Sequence, residues 1–170
     1  MNKRLFFLAA MCFVQLTLHG QTTNHQVYAV FVMSIAKYSS WPESDAKDFR
    51  ITVLGKSKVF DELSKVAPTK QIQGKKIHLV QTDEVSKIDA CEIVYVSDSR
   101  SGQLGELIRH LAGKPVMIIT EREGLFKKGA DFSFVVIDNN GLRFDINKKA
   151  LESRQIKISQ NLTTLANEVI

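Results

Sequence analysis

Apolar positions along this chain change their period several times, and each change marks an element. Between Val27 and Ala36 only Ser34 is polar. An ordinary surface helix shows one apolar stripe. A helix from Asn24, a suitable N-cap, to about Ser40 is apolar nearly all round and needs cover on two sides. One cover is the domain's own core. The other is a partner subunit, a second helix or a membrane surface. Trp41-Pro42 ends the helix, because proline disfavours helical backbone in the residue before it.

A regular alternation follows. Phe49 to Leu54 is a β-rich run closed by Gly55. Val59, Phe60, Leu63 and Val66 sit at helical spacing. Lys76 to Gln81 and Glu92 to Ser97 read as strands. Leu104, Leu107, Ile108 and Leu111 follow the i, i+3, i+4, i+7 pattern up to Gly113. Pro115 to Thr120 is another near-continuous apolar strand. Strands alternating with helices predict βαβ units and a parallel sheet, and strands without polar positions predict one covered on both faces. Phe132 to Ile137 and Leu142 to Ile146 then flank Asp138-Asn139-Asn140-Gly141, a strong hairpin signal. Leu142, Phe144 and Ile146 face one way, Arg143 and Asp145 the other, as in an edge strand. Ile158, Leu162, Leu165, Ala166 and Val169 mark a last amphipathic helix with Ser159 as its cap. The predicted fold is α/β: a three-layer sandwich with a mostly parallel, mixed sheet of Rossmann-like or flavodoxin-like type, completed by a C-terminal β-hairpin and helix.

The first twenty residues are of another kind. Lys3 and Arg4 precede an apolar stretch from Leu5 to Leu18, and small Gly20 precedes polar residues. That order reads as a secretory signal peptide over residues 1–20, too short to span a bilayer. Residues 21–170 then form one domain, which does not cross a membrane once the leader is cut. Of the 23 basic residues two belong to the leader, which leaves 21 against 18 acidic ones. The remaining basic residues are scattered and show no aromatic-interleaved stripe, so nucleic acid is not an expected partner. Cys12 leaves with the leader and Cys91 is then unpaired, so the core holds the fold without an intrachain disulfide.

Catalytic signals are missing. Cys91 opens a buried-looking strand without a cationic neighbour or helix start, so it reads as an inert, packed thiol. His25, His78 and His110 do not converge, and no metal-ligand spacing occurs. His110 reads as a solvated residue near a helix C-terminus. Gly55-Lys56-Ser57 lacks the upstream glycine of a phosphate-binding loop, and no cofactor motif is present. Ligands of open parallel sheets bind at the carboxyl ends of the strands. There Ser97, Ser99 and Arg100, with Glu121 on the next loop, form a candidate site for a carboxylate or small anion. The alternative is that these residues only make the turn and cap a helix.

At this point four stretches resemble a known family. Ala29 to Tyr38 with Trp41-Pro42, Ile51 to Gly55, and Cys91 to Val96 are the first three. Asn140 to Asn147 with Ile156 to Leu162 is the fourth. Together they are similar to the YfiR family, defined by the domain DUF4154. The resemblance implies a periplasmic, non-catalytic α/β regulator that tends to form a homodimer. Family members include a repressor of an inner-membrane diguanylate cyclase, which links the family to c-di-GMP signalling. Redox control by an intrachain disulfide does not carry over, because Cys91 has no mate.

Three functions follow from these readings. The first is an exported regulator that binds an envelope protein, such as the periplasmic part of an inner-membrane signalling protein, with Phe31, Met33, Tyr38 and Trp41 as partner-binding residues. The second is a periplasmic sensor that binds a small ligand through Ser97, Ser99, Arg100 and Glu121. An enzyme is the third, and it lacks a converging nucleophile, base or metal set.

Overall fold

The computed structural model describes residues 24–137 and 141–170. The leader and the Asp138–Asn140 turn expected from the sequence lie outside these described residues.

Helix α1 (Asn24–Lys37) leads into the two-residue strand β1 (Ser39–Ser40). It stops about three residues before the expected end. The reason is that the Ser39 hydroxyl donates to the Ile35 carbonyl at 2.7 Å, and β1 pairs antiparallel with β9 (Lys157–Ile158). Strand β2 (Asp48–Leu54) and helix α2 (Lys58–Val66) follow. Then come β3 (Gln71–Ile72) and β4 (Lys75–Thr82). Strand β3 and its tight turn were not expected. Gln73 and Gly74 both take positive φ (52° and 75°), the backbone of a two-residue hairpin turn.

Next are β5 (Ile93–Val96), α3 (Leu104–His110) and β6 (Met117–Thr120), followed by β7 (Phe132–Ile137) and β8 (Gly141–Ile146). Seven strands form one sheet in the order β3-β4-β2-β5-β6-β7-β8. The five central strands run parallel, and the antiparallel β3 and β8 close the two ends. In chain order the parallel strands read 2-1-3-4-5, the flavodoxin-like arrangement. The fold is therefore mixed α/β with a seven-stranded mixed sheet, as the sequence pattern implied.

Side chains alternate across the sheet, so both faces are packed. Ile93, Tyr95, Met117 and Ile119 join Val32, Ile35, Val59 and Leu63 from α1 and α2 on one face. Val94, Val96 and Ile118 meet Leu104 and Leu107 of α3, and Leu111 just after it, on the other.

The C-terminal region differs most from expectation. A short helix α4 (Lys148–Ser153) follows β8, capped by the Asn147 side chain, which accepts the Ala150 amide. The expected long last helix is reduced to α5 (Gln160–Leu165). Ile158 belongs to β9, and Val169 bridges to Ile146. Ser159 occupies the cap position, but its buried hydroxyl caps nothing and has no partner among the described residues. Its amide instead donates to the Tyr38 carbonyl at 2.9 Å, so main-chain pairing with the β1 region fixes it. Strand β8 is at the sheet's edge, as read, and residues 167–170 lie along it. Asp145, expected on a wet face, is buried and accepts the Asn167 amide at 2.9 Å.

Candidate functional site

The expected partner-binding residues do not share one patch. Phe31 leans on Phe134 and Phe144, with ring centroids 6.0 and 5.6 Å away, so its ring is largely part of the chain's own core. Met33 points to the opposite flank, toward α2. Tyr38 is 43% exposed beside Lys37, whose ammonium lies 5.6 Å from the ring centre. Trp41 stacks edge-on against Phe49 and donates its indole N–H to the Glu92 carbonyl at 3.1 Å. It borders a cleft of about 370 Å³ at the amino ends of the strands, lined also by Arg50, Glu92 and Lys114.

The flank carrying Met33 holds the surface that residue-level reasoning missed. Val30 is 59% exposed, although it sits in the most apolar stretch of α1. Val30, Met33 and Ala29 form one wall of a groove of about 510 Å³, and Val66 and Ile72 form the other. Helical spacing puts residues 26, 30, 33 and 37 on one stripe, and α2 packs beside α1 without covering it. The sequence signal was present in the all-round apolar pattern. What it could not give is which flank the sheet would leave open.

The expected ligand residues are brought together, but they are turned on one another. Gly55 has φ of 92°, and a Cβ there would collide with Ser97 Oγ and Arg100 Cγ. The loop after β5 therefore lies directly on the end of β2, at the point where the strand order reverses. Ser97 is only 1% exposed and its hydroxyl is 3.0 Å from that of Ser99. Arg100 is paired with Asp83 at 2.9 Å. The Glu121 carboxylate accepts the Asp98 amide at 3.3 Å and the Ser57 hydroxyl at 3.5 Å. Ser57 is also the N-cap of α2.

Electrostatics at this end follow from that packing. The Arg122 guanidinium holds the exposed Asp98 carboxyl below the usual range. Burial, reinforced by the Glu121 charge, raises the Tyr95 phenol well above its ordinary value, and Tyr28 is raised for the same reasons. The Tyr95 hydroxyl is buried and has no hydrogen-bond partner among the described residues.

Cys91 and His110 are tied into the packing. Cys91 is buried, and desolvation pushes its thiol up to about 11, so little thiolate exists at neutral pH. His110, expected to be solvated, is half-buried and donates to the Ile88 carbonyl at 3.0 Å. No helix among the described residues is long and apolar enough to cross a membrane.

The sequence matches the YfiR/HmsC-like family, DUF4154, from residue 25 to 167. The chain belongs to this family. Membership supports a regulatory role in the periplasm in general terms and accords with the groove and the quiet strand ends. No curated protein matches the chain in sequence. Among solved structures, it is similar to one described as the ABC domain in complex with L-Trp from Streptococcus pneumoniae (TM-score 0.59, 11% identity). It is also similar to a conserved domain protein from Vibrio cholerae O1 biovar El Tor (TM-score 0.53, 11% identity). Each likeness covers 86% of this YfiR/HmsC-like chain and 60% of the other. At that identity the likeness extends to the fold alone, and the chain spans under two thirds of either relative.

Proposed function

We propose that this YfiR/HmsC-like protein is exported by a cleaved leader and regulates an envelope protein by binding it. In this reading the partner is the periplasmic part of an inner-membrane signalling protein, a diguanylate cyclase among the choices, and the regulator is a homodimer. The observation that carries the reading is the uncovered flank of α1, where Val30 is 59% exposed within an apolar helix. Fully burying such a side chain is worth about 1.5–3 kcal/mol, and the chain's own fold leaves more than half of that unrealised.

The test is cross-linking and co-purification from the cell envelope with tagged wild type and Val30→Asp. Wild type should retain a specific envelope protein, and the variant should lose it while keeping its thermal midpoint. Phe31 is the poorer probe, because its ring packs on Phe134 and Phe144. Equal recovery by both proteins, or no specific partner for either, sinks the reading. Light scattering reports the homodimer separately.

A second reading is a small-ligand sensor, suggested by the fold shared with a domain solved in complex with L-Trp. Thermal-shift measurements with amino acids and small carboxylates test it. Binding that survives Ser99→Ala and Arg100→Ala removes the carboxyl-end loop as the site.

A further inference from the structure

We infer that the groove between α1 and α2 takes an acidic amphipathic helix of the partner. This inference rests on the binding-protein reading and names the chemistry of its partner. The walls of the groove are apolar, with Val30, Met33 and Val66 as the accessible contacts. The rim is basic. Lys37 closes one end, and Lys65 and Lys70 stand along the α2 side. Among the described residues Glu62 is the one acid lining the groove, and Lys65 already pairs with it at 2.7 Å. The rim therefore presents an excess of positive charge.

A helix laid in a groove anchors through apolar residues at i, i+3, i+4 and i+7. Val30 and Met33 of α1 offer the matching ridge, because residues three apart are neighbours on a helix. Acidic side chains beside those anchors would reach Lys37 and Lys70. A basic helix with the same apolar face would meet like charge. A second copy of this chain would bring the same lysines against each other, so the rim disfavours self-association here.

The test uses the full mature chain and two labelled peptides. Both carry leucine at i, i+3, i+4 and i+7 on a helical background. One has glutamate at the flanking positions, the other lysine. Fluorescence anisotropy at low salt should show the glutamate peptide binding at least tenfold more tightly, with the preference shrinking at high salt because exposed charges are screened. Amide shifts should concentrate in α1 and in residues 62–72. Val30→Asp should weaken the glutamate peptide at least tenfold. Lys37→Glu combined with Lys70→Glu should invert the preference, with the circular dichroism spectrum unchanged.

Equal affinity for the two peptides, shifts elsewhere on the molecule, or wild-type dimers that Val30→Asp dissolves each overturn the inference. If the peptides fail while Val30→Asp still abolishes envelope co-purification, the binding-protein reading stands and only the occupant's chemistry falls.

Discussion

At the scale of single residues, the most consequential pair is Asp131 with Arg154. The carboxylate is fully buried and the guanidinium nearly so, 2.9 Å apart. Asp131 also accepts the Ile118 amide at 2.6 Å, and Arg154 donates to the Gly129 carbonyl. Burial pushes the Asp131 carboxyl up to about 7, although Arg154 and the Ile118 amide pull it down. An unfolded aspartate titrates near about 4. Between those two values the folded chain keeps a proton that the unfolded chain has released. The stability this group contributes is thus complete below about pH 4 and is lost as pH rises through about 7. Removing one member of a buried pair costs about 3–5 kcal/mol when the other stays charged. Arg154→Ala should therefore cost about that much at pH 8 and clearly less at pH 5, where Asp131 takes up a proton. Urea unfolding at the two pH values checks this, and an equal loss at both refutes it. Gly55 is the second such position. Alanine there is strained by the positive φ and collides with Ser97 and Arg100. Gly55→Ala should cost more than about 1 kcal/mol, read from the thermal midpoint.

At the scale of elements, α1 and the C-terminal tail show what a hydrophobic pattern can and cannot convey. That α1 is apolar all round was visible between Val27 and Ala36. Which side chains the sheet would take was not, because that depends on strands far along the chain. Val32 is fully buried and Val30 mostly exposed, two positions apart in one helix. Val32→Asp should abolish folding, while Val30→Asp should shift the thermal midpoint by no more than a few degrees. Circular dichroism melts distinguish the two outcomes. The tail misled for a related reason. Ile158, Leu162 and Val169 fit a helical period, yet Ile158 and Val169 are held through strand pairing. Residues 167–170 exchange main-chain hydrogen bonds with Phe144, Ile146 and Lys148. At about 0.5–1.5 kcal/mol for each net bond, deleting Asn167–Ile170 should remove several kcal/mol, measurable by denaturant titration.

At the scale of the whole molecule, the alternation of strands and helices was enough to read the parallel centre, because a βαβ rhythm permits few topologies. The binding surface was less legible. Lys37, Lys65 and Lys70 are ordinary in sequence, and only the packing of α2 beside α1 gathers them. The converse holds for Ser97, Ser99 and Arg100, which look like a ligand loop by position but spend their polar groups on one another and on Asp83. Trp41, the single tryptophan, touches both the exit of α1 and the start of β5 through Glu92. Its fluorescence should therefore report global unfolding and coincide with far-UV circular dichroism, as two-state behaviour requires.

The clasp between β1 and β9 also bears on how the chain acquires its shape in time. Ser39 waits for Ile158, far downstream, before the end of the first helix is tied down. A chain threading out of a narrow conduit cannot fasten the exit of this helix until Lys157 and Ile158 have emerged. A version cut back to before Lys157 would lose this clasp and leave the exit of the first helix loose, while Val32 and Ile35 would still seat the helix in the core.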